Sequence, residues 1–125
     1  MTRLQPMRCR VTEPFTGRQD KPLVVKRGQR LSYERRKTEW AGWIWCSSSE
    51  TGGGWVPESW ARLNGTACVM ERDYSSAELS ARKGEALRVN FTESGWAWAV
   101  SSDGRTGWIP EQCLEPSGGA GPAGG

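Results

Sequence analysis

The chain repeats itself, and an internal repeat limits what 125 residues can fold into more than any bulk property, because each copy must be one structural unit. The segment KPLVVKRGQRLSY (21–33) aligns with AELSARKGEALRV (77–89) at an offset of 56, matching Leu23 with Leu79, Gly28 with Gly84 and Leu31 with Leu87. Further on, GWIWCSSSETGGGWVPESW (42–60) aligns with GWAWAVSSDGRTGWIPEQC (95–113) at an offset of 53. The change of three residues falls in the stretch containing ERRKTEWA, where a loop absorbs the length difference. Two homologous units follow, 7–63 and 66–116, joined by a very short link around Asn64 and Gly65; residues 117–125 (SGGAGPAGG) form a tail without periodicity, expected to be disordered.

Each copy is written in short runs with period-two alternation: LSYE, WIWCS and GGWVP in the first, LRVNF, WAWAV and TGWIP in the second. Sixteen Gly and seven Pro supply turns, and neither copy holds a capped ten-residue stretch with helical spacing. The fold class is therefore all-β. A single sheet of five short strands buries a core only by curling on itself, so each copy is expected to be a small, partly open β-barrel.

Several function classes drop out. With no His, the chain has no His-based triad, no HExxH zinc site and no Cys/His finger. Cys9, Cys46, Cys68 and Cys113 are far apart in sequence, with no CxxC pair, so free thiols are expected; a Cys9 to Cys68 bridge is the alternative, since the two occupy matching repeat positions. The triplet Gly52, Gly53, Gly54 reads as a hairpin turn and not a phosphate cradle, because no helix follows it. No run reaches the ~18 apolar residues of a membrane helix, and MTRLQPMRCR has no apolar core of a secretory signal, so a cytoplasmic location is expected. Two barrels of ~60 residues give little room to shelter catalysis. No catalytic residue, metal ligand or cofactor is assigned.

The second copy resembles a Src-homology-3 (SH3) domain over nearly every residue from Cys68 to Pro116. MERDY (70–74), ELSARKGEAL (78–87) and GWAWAVSSDGRTGWIPEQCL (95–114) stand where that family has its ALYDY, DLSFKKGERL and GWW…GxxGxIPxNYV segments. The first copy keeps KRGQRL, GWIWC and GGWVPESW, with EPF in place of YDY. The resemblance implies two SH3-like barrels in tandem that bind extended, proline-containing peptides in slots between upright rings, without catalysis. Carried over by position, it assigns Phe15, Trp43, Pro57 and Trp60 to the first groove, with Asp20 and Glu13 as acids that read a flanking charge. The second groove receives Tyr74, Trp96 and Pro110, with Glu78, Asp73 and Glu93 in the acidic role; Arg72 and Cys113 replace two of the family's rings. Trp43 and Trp96 are expected to stand open to a ligand, while Trp45, Trp55, Trp98 and Trp108 are expected to pack over the barrels.

Charge divides unevenly along the chain. Residues 1–62 hold 12 Lys/Arg against 6 Asp/Glu, and residues 63–125 hold 5 against 8. On this division the second copy should prefer a basic proline-containing segment and the first should accept an acidic one; the alternative is that opposite charges pack the two barrels together. The expected partner is thus a protein or peptide with a proline-rich segment, bound by a monomer. Two other readings remain open: nucleic-acid binding through the Arg-rich loop of the first copy, and a structural role with the grooves packed within an assembly.

Overall fold

The computed structural model describes residues 6–18, 21–38, 40–50 and 52–117. The tail expected to be disordered lies, from residue 118 on, outside the described residues, as does Asp20. Twelve strands and two 3-10 turns make up the regular structure of the described residues, with no α-helix among them. The strands are β1 (Met7–Val11), β2 (Val24–Val25), β3 (Arg30–Glu34), β4 (Trp43–Ser48), β5 (Gly52–Pro57), β6 (Ala61–Asn64), β7 (Ala67–Met70), β8 (Tyr74–Ser75), β9 (Ala86–Glu93), β10 (Trp96–Ser101), β11 (Thr106–Pro110) and β12 (Leu114–Pro116). The all-β expectation holds: two five-stranded antiparallel sheets, of order β11-β10-β9-β1-β12 and β5-β4-β3-β7-β6, and a short β2-β8 ribbon.

These sheets do not follow the repeat boundaries. The chain divides into two compact bodies: body A is Met1–Arg18 with Ala77–Gly125, and body B is Gln19–Ser76. Contiguous units at 7–63 and 66–116 are therefore not what the structure holds. By sequence alignment β3, β4, β5 and β6 of the first copy correspond to β9, β10, β11 and β12 of the second, and β1 corresponds to β7. The two first strands have changed places. In body A, β1 pairs with β9 (Cys9 opposite Leu87) and with β12 (Val11 opposite Leu114). In body B, β7 takes the equivalent place, with Cys68 opposite Leu31 on β3 and opposite Leu63 on β6.

The physical reason lies in the short link. Asn64 pairs directly with Ala67, leaving Gly65 and Thr66 as a two-residue hairpin turn instead of a connector between domains. Gly65 has φ +65°, and Thr66 is not among the residues of positive φ, the sign pattern of a II′ turn with glycine first. Closing so short a loop costs little chain entropy, so β7 folds back on β6 and occupies the sheet position that β1 of the same copy would otherwise fill. Hydrogen bonds carry the exchange past the strands: Val11 donates to the Glu85 carbonyl (2.9 Å) and accepts from Gly84 N–H (2.7 Å), while Met70 donates to the Gln29 carbonyl (2.9 Å) and accepts from Gly28 N–H (2.7 Å).

Alternation sets what faces inward. On β10, Ala97, Ala99 and Ser101 are buried while Trp96, Trp98 and Val100 are half-buried. The core of body A gathers Cys9, Val11, Leu79, Ala81, Leu87, Val89, Ala97, Ala99, Ile109 and Cys113, so the exchanged β1 supplies two of its residues. In body B the buried apolar side chains include Leu23, Val25, Leu31, Ile44, Cys46, Val56, Cys68 and Met70, the last two from β7. The packing tryptophans behave as expected: Trp45 meets Trp55 edge to face at 5.4 Å, and Trp98 meets Trp108 at 5.3 Å.

The glycine triplet is not a turn. Gly52, Gly53 and Gly54 lie within β5, where a Cβ on Gly53 would come within 2.7 Å of the Trp45 ring and one on Gly54 within 2.7 Å of Ser76 Oγ. Neighbours press on Gly53 and Gly54, whereas Gly52 has open space around it and a φ of +77° that favours glycine. All four cysteines are free and buried, and Cys9 and Cys68 belong to different bodies. Cys46 and Cys68 Sγ atoms do meet at 3.7 Å. They lie on β4 and β7, the two neighbours of β3. Strands two apart are separated by ~9.6 Å, beyond the ~7 Å between Cα atoms that a disulfide spans, so the pair remains a thiol contact.

Candidate functional site

Strand exchange regroups the ring residues. In body A the backbone of Phe15 forms a two-way bridge with Ala81, donating to its carbonyl at 3.0 Å and accepting from its N–H at 2.9 Å. This fixes Phe15 edge to face against Trp96, with ring centroids 5.7 Å apart and planes at 77°. Trp96 opens β10 opposite Pro110 on β11 and opposite Glu93 on β9. Glu111 N–H donates to the Gly95 carbonyl (2.9 Å), closing the turn after Pro110 against the start of β10. Phe15 and Trp96 are both half-buried, whereas Pro110 and Cys113 are buried. These two half-exposed rings beside Pro110 form the ring slot of body A.

The wall of that slot is held by close backbone approach. Gly17 N–H donates to Ser80 Oγ and Arg18 N–H to Glu78 Oε1, each at 2.9 Å. A Cβ on Gly17 would lie 2.6 Å from that of Glu78, and one on Gly107 2.8 Å from the Glu78 carbonyl carbon, so residue 78 is clamped from both sides. Glu78 therefore has a positioning role in the wall as well as a charge. Glu93 accepts from Ser94 Oγ at 3.0 Å beside Trp96. Burial, with the charge of Glu13 second, pushes the Cys113 thiol above its ordinary range.

Body B collects Trp43, Pro57, Trp60 and Tyr74. Trp43 sits opposite Pro57. Trp60, on the 3-10 turn Glu58–Trp60, meets Tyr74 edge to face at 5.5 Å. The Tyr74 hydroxyl donates to the Trp55 carbonyl at 2.6 Å, and the Arg72 guanidinium lies 4.1 Å from the Trp60 ring centre. Asp73 accepts Arg27 N–H at 2.8 Å. The expected openness of Trp43 is not found: it is 8 % exposed, Trp60 6 % and Tyr74 5 %. Tyr74 packs against the Trp60 ring and the Arg72 cation covers it, so the rings of body B are buried.

The groupings read from sequence are accordingly corrected. Phe15 stands with Trp96 in body A, and Tyr74 with Trp60 in body B; each goes with its strand to the sheet of the other copy. Glu78 and Asp73, expected on one rim, lie in different bodies. Arg72, read only as a missing ring, stacks on Trp60. The signal for this regrouping was present in the two-residue span between β6 and β7.

The charge division dissolves as well. Counted by body, 1–18 with 77–125 holds 8 Lys/Arg against 7 Asp/Glu, and 19–76 holds 9 against 7. Opposite net charges belong to the sequence halves and not to the folded bodies. In the Arg-rich loop, Arg35 makes a two-pronged pair with Glu58 (2.9 Å each), while Arg36 pairs with Glu34 (2.7 Å) and lies 4.2 Å from the Trp45 ring centre. Arg35 holds the Glu58 carboxyl below its usual range.

For chemistry the site has little to work with. All four thiols are raised by burial, which disfavours the thiolate that would act as a nucleophile. Among the described residues no three His, Cys, Asp or Glu side chains gather as a metal site, and no helix is long and apolar enough to cross a membrane. Rings, prolines and carboxylates suit recognition of a segment of another chain. No curated protein matches this chain. Residues 68–117 match the family model described as Variant SH3 domain, whose members are in general non-catalytic protein-interaction modules. Of the matched segment, 68–76 fold into body B and 77–117 into body A.

Proposed function

We propose that this protein is a non-catalytic interaction module that binds an extended, proline-containing segment of another protein through the Phe15, Trp96 and Pro110 slot of body A. The observation that carries the reading is the contrast in exposure: Phe15 and Trp96 stand half-open at an edge-to-face angle, while the equivalent rings of body B are covered. A polyproline II segment has little conformational freedom left to lose and presents flat apolar ridges that fit between such rings. Glu13, Glu78 and Glu93, all in body A, favour a basic residue beside the prolines. The Trp43, Pro57, Trp60 and Tyr74 cluster serves packing first. The arginines of the basic loop already hold carboxylates and a ring, which supports a protein partner over nucleic acid.

The test is a titration of the full chain with a decaproline peptide carrying one arginine at each end, followed by the Trp indole N–H resonances. The Trp96 signal should move, and Trp96→Ala should abolish binding with the unfolding midpoint little changed. A Trp96 resonance indifferent to saturating peptide would refute the assignment.

A further inference from the structure

We propose that the two-residue turn at Gly65 and Thr66 decides which aromatic residue completes each ring set, and that Phe15 is thereby the specificity-determining residue of the Trp96 slot. The second part rests on the binding role proposed above; the first does not. Each first strand carries a ring a few residues beyond it: Phe15 follows β1 and Tyr74 follows β7. Wherever the strand goes, its ring goes too. With the short turn, β7 hydrogen-bonds to β6 through four register pairs, Ala61 to Met70 through Asn64 to Ala67, and Tyr74 is carried to Trp60. The vacancy opposite β9 is filled by β1, which brings Phe15 to Trp96.

The repeat makes the opposite pairing chemically acceptable. Cys9 and Cys68 are identical residues at equivalent positions, opposite Leu87 and Leu31, themselves identical. Val11 and Met70 are both buried apolar ends of their strands. Either first strand could therefore enter either sheet with its inward face satisfied, and side-chain pattern alone does not choose. Loop length chooses. The result matters because the rings differ by one group: Tyr74 has a hydroxyl, which in body B donates to the Trp55 carbonyl and keeps lone pairs able to accept, and Phe15 has none. In the exchanged arrangement the open slot is lined by the ring lacking it, which favours ligands held by apolar contact and by the neighbouring carboxylates.

The experiment uses the full chain, with and without eight Gly/Ser residues inserted between Gly65 and Thr66. Arg8 and Arg88 are directly opposite each other on β1 and β9, and both are exposed. In the unexchanged pairing Arg8 would instead face Ser32, because Ser32 is opposite Ala67, the counterpart of Arg8. Mild oxidation should close Arg8→Cys/Arg88→Cys and leave Arg8→Cys/Ser32→Cys open in the natural chain, read as disulfide-linked peptides by mass. The insertion should allow the second pair to close. Phe15→Leu should shift the Trp96 indole resonance, a ligand-free ring-current readout. Phe15→Tyr should tighten the arginine-flanked decaproline peptide at Trp96 roughly 2- to 10-fold, the range of one added hydrogen bond, with Tyr74→Phe leaving it unchanged.

Closure of the Arg8/Ser32 pair in the natural chain, or no change in pairing on insertion, would overturn the role of the turn. A Trp96 titration that follows Tyr74→Phe and ignores Phe15→Tyr would overturn the role of Phe15. Should the Arg8/Arg88 pair close while the peptide has no effect on Trp96, the binding role and the specificity of Phe15 fail together, and the strand exchange stands.

Discussion

Met70→Ala separates the exchanged fold from a contiguous one by where its damage appears. Met70 ends β7 with 1 % of its surface exposed, and its backbone is pinned to Gln29 and Gly28 by bonds of 2.9 and 2.7 Å that an alanine would keep. The substitution removes three heavy side-chain atoms. At ~0.8 kcal/mol for each buried methylene-sized group, the transfer loss is about 2.4 kcal/mol, and an unrelaxed cavity raises it to roughly 3 kcal/mol, inside the ~2–5 kcal/mol of such truncations. With tenfold per 1.4 kcal/mol, amide protection limited by unfolding of that body should fall about 150-fold. Hydrogen exchange read by mass spectrometry should place that loss in β3, β4 and β5, which belong to the other sequence repeat. Val11→Ala should act in mirror image, loosening β9 to β11. Loss of protection in β9 to β11 on Met70→Ala, with β3 to β5 unaffected, would refute the exchange.

Two further outcomes follow from packing and burial. Gly54→Ala places a Cβ 2.7 Å from Ser76 Oγ, which already accepts Leu23 N–H at 2.8 Å, and 2.9 Å from Leu23 Cβ. Neither neighbour can retreat cheaply, so thermal unfolding should show a loss of ~1–3 kcal/mol; an unchanged midpoint would mean the strand has slack that the structure lacks. The Cys46 thiol is raised by burial and by the nearby Cys68. Its protonated form is thus favoured in the folded state, so this contribution to stability is complete below the ordinary thiol range and lost as pH rises through ~8.5, at about 1.4 kcal/mol per pH unit. Urea midpoints at pH 7.5 and 10 should diverge less in Cys46→Ala than in the natural chain, and equal divergence would rule out this thiol as a source.

Much of the architecture is written locally. Runs such as WAWAV alternate small inward residues with outward rings, and that alternation makes strands whatever surrounds them. The repeat at 21–60 and 77–113 established that two similar sheets would form; Trp43, Pro57, Trp96 and Pro110 stand out in the aligned segments, while Phe15 and Tyr74, which lie before them, came from the family resemblance. Their grouping was not. Equivalent strands of a repeat carry equivalent patterns, so Cys9 and Cys68 are suited to either Leu31 or Leu87, and no property of β1 or β7 names its partner. The partner was decided by a competition between pairings that only the folded chain resolves, in which a two-residue hairpin costs less entropy than sending β7 elsewhere. The same competition undid the charge argument, since charge summed along a chain describes a surface only when the chain folds in contiguous blocks. Exposure was likewise a tertiary outcome: Trp43 and Trp96 each follow a glycine at the start of a strand, yet Trp43 is buried and Trp96 half-buried.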